Sequence, residues 1–265
     1  MISRFSPAKA NLFFRVVSKR PDGFHEVASL YTALSLGDYI HLNLEDVDSF
    51  SSNIESLRND DSNLIIHARN LFRKATNIQH ALSIKLEKNI PIGSGLGGGS
   101  SNAATVLWAM NELFGNPLSI DELIKIGSSI GSDVPFFFSK GSAYCTGRGE
   151  ILINSEFEVV EPFWVAKPDK YSLSTPQVYS VCKPSGVCDK DSLFVNDLES
   201  AAFTLIPELK TFKDNLINLG FTNVVMTGSG TAFLCFGNVQ KPSLFETTFY
   251  SVTSIERDQN NWYKP

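Results

Sequence analysis

Cysteine is scarce and unpaired in this sequence: Cys145, Cys182, Cys188 and Cys235 are its 4 thiols, and no C-x-x-C occurs. That spacing supports neither a zinc site nor a disulfide framework, so reduced thiols packed as small hydrophobes are expected. Long apolar runs are missing too. No stretch reaches the roughly 18 uninterrupted apolar residues of a membrane span, and the start, MISRFSPAKANLFF, carries no apolar leader. The expected compartment is the cytoplasm, with no membrane partner. Positive charge is in deficit, at a net −5, which leaves no electrostatic footprint for nucleic acid. A polyanionic ligand would need a local device to attract it. What is present is ordinary for a globular protein: 265 residues, 43% of them apolar, enough for one large domain or two modest ones.

Residues 6–17, SPAKANLFFRVV, alternate Ala10, Leu12, Phe14 and Val16 against Lys9, Asn11, Phe13 and Arg15. That is the period of a half-buried strand, with Lys9 and Asn11 on one face. Strands are predicted again over 37–45, with Ile40, Leu42 and Leu44 inward, and over 81–87, with Leu82, Ile84 and Leu86 inward. Between them, Leu64, Ile65, Ala68, Leu71, Phe72 and Ala75 share one helical stripe, opened by the capping candidates Asp60, Asp61 and Ser62. Residues 49–63 read as a solvated surface loop. A second helix starting at about Ser100 carries Ala103, Val106, Leu107, Met110, Leu113 and Phe114 and stops at Gly115 and Pro117. Ser119 and Glu122 form a capping box for a third, ending near Gly131.

The second half predicts a strand over 161–168, a helix from Pro207 to Leu219, two strands flanking TGSGT, and a last strand in SVTSIE. Residues 168–200 show little period and read as a functional or disordered loop. Strands and helices mixed without strict alternation, and no internal repeat, indicate α+β architecture in two lobes.

The densest feature is PIGSGLGGGSSNAA at 91–104, with 5 glycines in positions 93–99. A P-loop is excluded because no lysine follows the glycines. The dinucleotide pattern G-x-G-x-x-G fits Gly93, Gly95 and Gly98, which leaves an NAD-linked oxidoreductase as a competing reading. However, the helix that follows leads to Asn116-Pro117 and another helix, not to the second parallel strand of a Rossmann unit. The protein-kinase loop requires a valine where Ser100 stands. The physics outlasts the templates: successive glycines let several N–H groups turn toward one point, and a helix start adds its dipole and unpaired amides. The loop reads as an anion site, with Ser100 and Ser101 offering hydroxyls to a phosphate or its Mg²⁺.

This loop, with SPAKANLFFRVVSKRPDGFHE near the start and MTGSGTAF at 226–233, resembles the three ordered motifs of the GHMP kinases, and GSDVPFF at 131–137 is similar to their aspartate segment. RPDGFHE and the triple glycine resemble the branch whose acceptor is a cytidine-diphosphate-linked polyol. The resemblance implies phosphoryl transfer from ATP, with Mg²⁺, to a hydroxyl of that substrate; homoserine or mevalonate is the alternative acceptor. It also implies an N-terminal α/β lobe over 1–158 and a ferredoxin-like C-terminal lobe over 159–265, with the active site in the cleft between them.

By the same resemblance, Asp133 accepts the hydroxyl proton and Lys9 stabilises developing charge. A carboxylate is a weak base toward an alcohol, but in a loose transition state the proton leaves late, so orientation outweighs basicity. Pro91, Gly93, Ser94, Gly95, Leu96, Gly97, Gly98, Gly99, Ser100 and Ser101 form the ATP loop, closed from the second lobe by Thr227, Gly228, Ser229 and Gly230. His25 would bond the cytosine edge. Phe24 and Tyr179 would stack on the ring's two faces, where the family usually has tyrosine and phenylalanine respectively. Asn11, Tyr31 and Thr175 match further substrate-contacting positions. The expected partners are small molecules, and the sequence sets no oligomeric state.

Overall fold

The computed structural model describes residues 1–157, 159, 161–188, 192–258 and 262–263. Residue 158, at the expected lobe boundary, and 189–191, within the unperiodic segment, lie outside the described residues. Two long antiparallel strands, β1 (Ile2–Lys19) and β2 (His25–Leu44), organise the first sheet. They pair from Ile2 opposite Leu42 to Lys19 opposite His25. The turn between them contains Pro21-Asp22-Gly23: proline presets one dihedral, Asp22 accepts the Phe24 N–H (3.1 Å), and Gly23 takes φ +87°. β1 takes one edge of β2; along the other edge, β4 (Leu82–Glu87), which pairs with β3 (Ser49–Ser52), lies beside residues 39–44, and β5 (Ser142–Thr146), which pairs with β6 (Ile151–Asn154), lies beside residues 29–32. The short β11 (Ser254–Ile255) also pairs with β2.

Three helices, α1 (Leu64–Thr76), α2 (Gly98–Leu113) and α3 (Ile120–Ile130), cover this sheet. α2 packs on β1 and β2 and touches both other helices, and small residues such as Ala103 and Ala104 let its 101–107 stretch sit there buried.

The second sheet is antiparallel: β7 (Phe163–Pro168), β8 (Asn223–Met226), β9 (Phe233–Phe236) and β10 (Thr247–Val252), in the order β10-β7-β9-β8. Counted within the lobe this is fourth-first-third-second, the ferredoxin-like order. The crossover from β7 to β8 carries α4 (Thr175–Val181), α5 (Glu199–Leu205) and α6 (Glu208–Asn218), whereas 237–246, which returns to β10, carries no helix. The two-lobed α+β architecture is borne out.

Several local expectations need correction. β1 is not half-buried, and its alternation does not survive the strand. A bulge between Asn11 and Phe13 shifts the register, so Ala10, Leu12 and Phe13 join one core cluster while Phe14 and Val16 join the other. Leu44, at the frayed end of β2, is exposed. Residues 49–52 form a strand rather than loop, α1 is capped by Asn63 rather than by 60–62, and α2 begins at Gly98, two residues before Ser100. β10 spans the end of SLFETTFY and the start of SVTSIE. Cys145 and Cys235 are buried as expected, but Cys188 is exposed.

Candidate active site

A cleft of about 950 Å³ runs between the lobes, lined by β1, the 20–25 turn, the glycine loop, the Asp133 segment, α4 and residues 228–230. That is the size of a site for nucleotide-sized ligands. Among the described residues its lining carries Lys9, Lys19, Lys88 and Arg148 against the single carboxylate of Asp133. An acidic protein thus holds a cationic cleft, the local device its composition demanded.

The glycine loop is fixed from below by Asp38, which is fully buried. Its carboxylate accepts the N–H groups of Asn89 (2.7 Å) and Ile90 (2.8 Å), the Asn102 amide (2.8 Å) and the Lys88 ammonium (2.5 Å). Burial pulls the Lys88 pKa down, and Asp38 opposes that. Above this anchor Gly93, Gly95 and Gly97 adopt φ of +65°, +82° and +68°. Gly97 takes the N-cap position of α2 without any side-chain cap, and Ser101 is the first residue whose N–H bonds back, to the Gly97 carbonyl (2.9 Å). The amides of Gly98, Gly99 and Ser100 therefore have no acceptor within the helix, at its positive end.

Glycine is required where the two loops meet. A Cβ on Gly230 would lie 2.0 Å from the Gly95 nitrogen, and one on Gly95 would lie 2.2 Å from the Thr227 carbonyl oxygen. The loops dock backbone to backbone, and the Ala232 N–H donates to the Ser94 carbonyl (3.1 Å). Ser94 also holds its own turn, donating to the Pro91 carbonyl (2.7 Å). Leu96 is core, and its carbonyl accepts the Lys9 N–H (2.9 Å). Ser101 departs from expectation: it is fully buried, with its hydroxyl on that of Ser6 (2.8 Å), so it faces away from the cleft. Ser100 does line the cleft.

Lys9 is 3% exposed, its stem against Gly97 and its ammonium held by Asn11 Oδ1 (2.7 Å), by the face of Tyr31 (4.7 Å to the centroid) and by Asp133 Oδ2 (3.5 Å). Asn11 lies opposite Tyr31 across the β1–β2 ladder. The Tyr31 hydroxyl donates to Asp133 Oδ1 (3.2 Å), and burial, with the Asp133 charge second, pushes its pKa well up, so it stays a donor. Asp133 itself remains about one-third open to the cleft. It is followed by a 3₁₀ turn, Pro135–Phe138, whose three phenylalanines are buried and anchor it.

At the hairpin end, the rings of His25 and Tyr179 lie 4.9 Å apart at 32°. Burial, then the Lys19 charge, lowers the His25 pKa, which keeps the imidazole neutral with one donor and one acceptor edge. Phe24 is half-exposed with the Arg148 guanidinium over its ring (4.9 Å). Thr175, at the start of α4, shares a hydrogen bond with Ser229 (2.8 Å). α4 itself had been missed; its signal was the capping pair Ser174 and Gln177. Arg148 was missed too, though it stands between Gly147 and Gly149 in a tight β5–β6 turn. The lining of the same cleft also includes the apolar side chains of Leu57, Leu64 and Ile92, with Asn63 and Lys88.

An antiparallel sheet around β2 excludes the Rossmann reading of Gly93, Gly95 and Gly98. Backbone-docked glycine loops beside a lysine–aspartate pair, between an α/β lobe and a ferredoxin-like lobe, define an ATP-dependent small-molecule kinase of the GHMP class. Residues 63–141 match the family model described as GHMP kinases N terminal domain. The chain is 44% identical to the 4-diphosphocytidyl-2-C-methyl-D-erythritol kinase of Protochlamydia amoebophila (strain UWE25), covering 99% of this chain and 93% of that one. It is 41% identical to the chloroplastic enzyme of the same name from Arabidopsis thaliana, covering 98% and 76%. A crystal structure of 4-(cytidine 5'-diphospho)-2C-methyl-D-erythritol kinase superposes with a TM-score of 0.77 at 28% identity, covering 96% of this chain and 99% of that one. The chain belongs to the GHMP kinases and, within them, to the family of 4-diphosphocytidyl-2-C-methyl-D-erythritol kinases.

Proposed function

We propose that this protein transfers the γ-phosphoryl group of ATP to the 2-hydroxyl of 4-diphosphocytidyl-2-C-methyl-D-erythritol, giving the 2-phosphate and ADP, in the methylerythritol phosphate route to isoprenoids. The observation that carries the reading is the Lys9–Asp133–Tyr31 cluster with the α2-start amides of Gly98, Gly99 and Ser100, which have no acceptor within the helix. Those amides and the 228–230 backbone hold the triphosphate, and Leu57, Leu64 and Ile92 of the cleft lining supply apolar surface for the adenine. Asp133 receives the acceptor proton, held in orientation by Tyr31, while Lys9 offsets charge developing on the transferred group. Neutral His25 reads the cytosine edge, and Phe24 and Tyr179 supply stacking faces, worth about 1–3 kcal/mol per base. Arg148, which lines the cleft beside Phe24, is assigned to the diphosphate.

Mg²⁺ fits this site as a metal held mainly by phosphate oxygens and water. Among the described residues no group of three or more His, Cys, Asp or Glu could hold a metal alone. Mg²⁺ normally needs only one or two protein ligands beside phosphates, and the Ser100 hydroxyl and the Asp133 carboxylate both line the cleft. When bound it would supply positive charge that offsets the charge on the phosphates. The proposed compartment is the cytoplasm, a reading supported by four free thiols; among the described residues no helix is long and apolar enough to cross a membrane. The test is an acceptor panel: the protein with ATP and Mg²⁺ should release ADP with the cytidyl substrate and not with homoserine or mevalonate. Turnover of either of the latter in its place would reject the assignment.

A further inference from the structure

We propose that Asn196 is a positioning residue for this reaction: its side-chain amide fixes the 227–230 loop and, through Thr227 and Asn11, the Lys9 ammonium. Residues 193–198 run alongside β1. Phe14 N–H donates to the Val195 carbonyl (2.7 Å), Phe194 N–H to the Leu12 carbonyl (2.7 Å), and Asp197 N–H to the Phe14 carbonyl (2.9 Å). The Asp197 carboxylate accepts the Val16 N–H (2.9 Å) and pairs with Arg15 (3.1 Å), so the segment belongs mechanically to the first sheet.

From that fixed base the Asn196 side chain reaches the second lobe. Its Nδ2 donates to the carbonyls of Met226 (2.6 Å) and Gly228 (2.8 Å), and its Oδ1 accepts the Leu198 N–H (2.9 Å). At 6% exposure both amide protons are used, and only an amide can fill this role. Alanine would leave two buried carbonyls unpartnered; aspartate would set oxygen against oxygen. Three residues on, at the start of α5, Glu199 Oε1 accepts the Met226 N–H (2.8 Å), so Met226 is held at both its N–H and its carbonyl.

The two carbonyls that Asn196 holds flank Thr227, and from Thr227 the bonds continue without a gap. Its hydroxyl accepts the Asn11 N–H (3.0 Å) and donates to Asn11 Oδ1 (3.3 Å), the same oxygen that receives Lys9 Nζ (2.7 Å). Lys9 Nζ in turn faces Asp133 (3.5 Å). Gly228 and Gly230, in the same loop, press on Gly95. One buried amide outside the cleft thus sets both the spacing of the two phosphate-facing loops and the donor that aims Lys9.

This inference rests on the kinase reading, which the activity of the unaltered protein tests by itself. The experiment is a double-mutant cycle of Asn196→Ala and Thr227→Val, followed by kcat and KM with ATP and the cytidyl substrate. Asn196→Ala is expected to lower kcat about tenfold or more with the cytidyl KM changed less than about twofold, and the double variant to lose much less than the product of the single losses. Asn196→Ser, which keeps one donor, should fall between the unaltered protein and Asn196→Ala, and it serves if the alanine variant does not fold. A folded variant with kcat within about twofold of the unaltered protein, or losses that multiply, overturns the proposal.

Discussion

Lys9 is a buried cation whose position is decided by neighbours from three separate parts of the chain: Asn11 beside it, Tyr31 across the ladder, and Asp133 beyond the glycine loop. Its replacement by methionine keeps the stem packed against Gly97 and removes only the charge. We expect Lys9→Met and Asp133→Asn each to reduce kcat by about 10²-fold or more while circular dichroism stays unchanged. A variant within tenfold of the unaltered protein would remove that residue from the reaction. Gly230→Ala probes a different dependence. Its Cβ has no room against Ser94 and Gly95, where the obstructing atoms are backbone. The loops must part, so ATP should cease to raise the melting temperature of this variant, read by thermal shift with and without nucleotide.

At the scale of the element, what the sequence disclosed depended on whether the deciding interaction was local. α3 was legible because its capping box lies within four residues, and β4 because its buried Leu82, Ile84 and Leu86 alternate without interruption. β1 was legible as a strand but not in its facing, since a bulge is set by the partner strand and leaves no mark in the one-strand pattern. The glycine loop and its lysine–aspartate pair were legible through their motifs. Asp38 and Asn196, which hold those motifs in place, were not, because their partners lie 50 to 64 and 30 to 32 residues away respectively.

Asp48 is a third such anchor, and it yields a pH-dependent prediction. It takes Arg73 in a two-pronged pair, Arg69 (3.3 Å) and the Leu82 N–H (2.8 Å), joining α1 to the start of β4. The Arg73 hydrogen bonds lead in holding its pKa down at about 2. A carboxylate depressed in the fold stabilises it fully above its unfolded pKa of about 3.9, and that contribution disappears as pH falls toward about 2. Asp48→Asn should therefore cost about 1–2 kcal/mol near neutral pH, after discounting for partial exposure, and progressively less between about pH 4 and pH 2. Urea melts of both proteins across that range measure the difference; a gap that persists at the acid end would assign the loss to packing instead.

For the whole molecule, the two sheets are not independent bodies, because after the second sheet the chain crosses back to the first. After β10, β11 pairs with Ala33 and Leu34 of β2, and the Arg257 N–H donates to the Lys140 carbonyl (2.9 Å). The Arg257 guanidinium then binds the carbonyls of Phe138 (2.5 Å) and Ser139 (2.9 Å), the end of the 3₁₀ turn that follows Asp133. Burial lowers its pKa, and the rings of Trp108 and Trp262 lie 5.2 and 5.7 Å from its centre. Trp262 is 4% exposed and packs on Trp108 and Phe138, while the Tyr263 hydroxyl donates to the Ser139 carbonyl (3.3 Å). A strap of this kind makes the first lobe's core depend on residues that follow the second sheet. Trp262→Ala should cost about 3–5 kcal/mol, the range for a buried aromatic truncated to alanine. Scanning calorimetry should show one transition in the unaltered protein and, in the variant, that same single transition at lower temperature, since both sheets share the strap. Two separate transitions in the variant, with only one displaced, would mean that the lobes unfold independently and that the strap serves the first lobe alone.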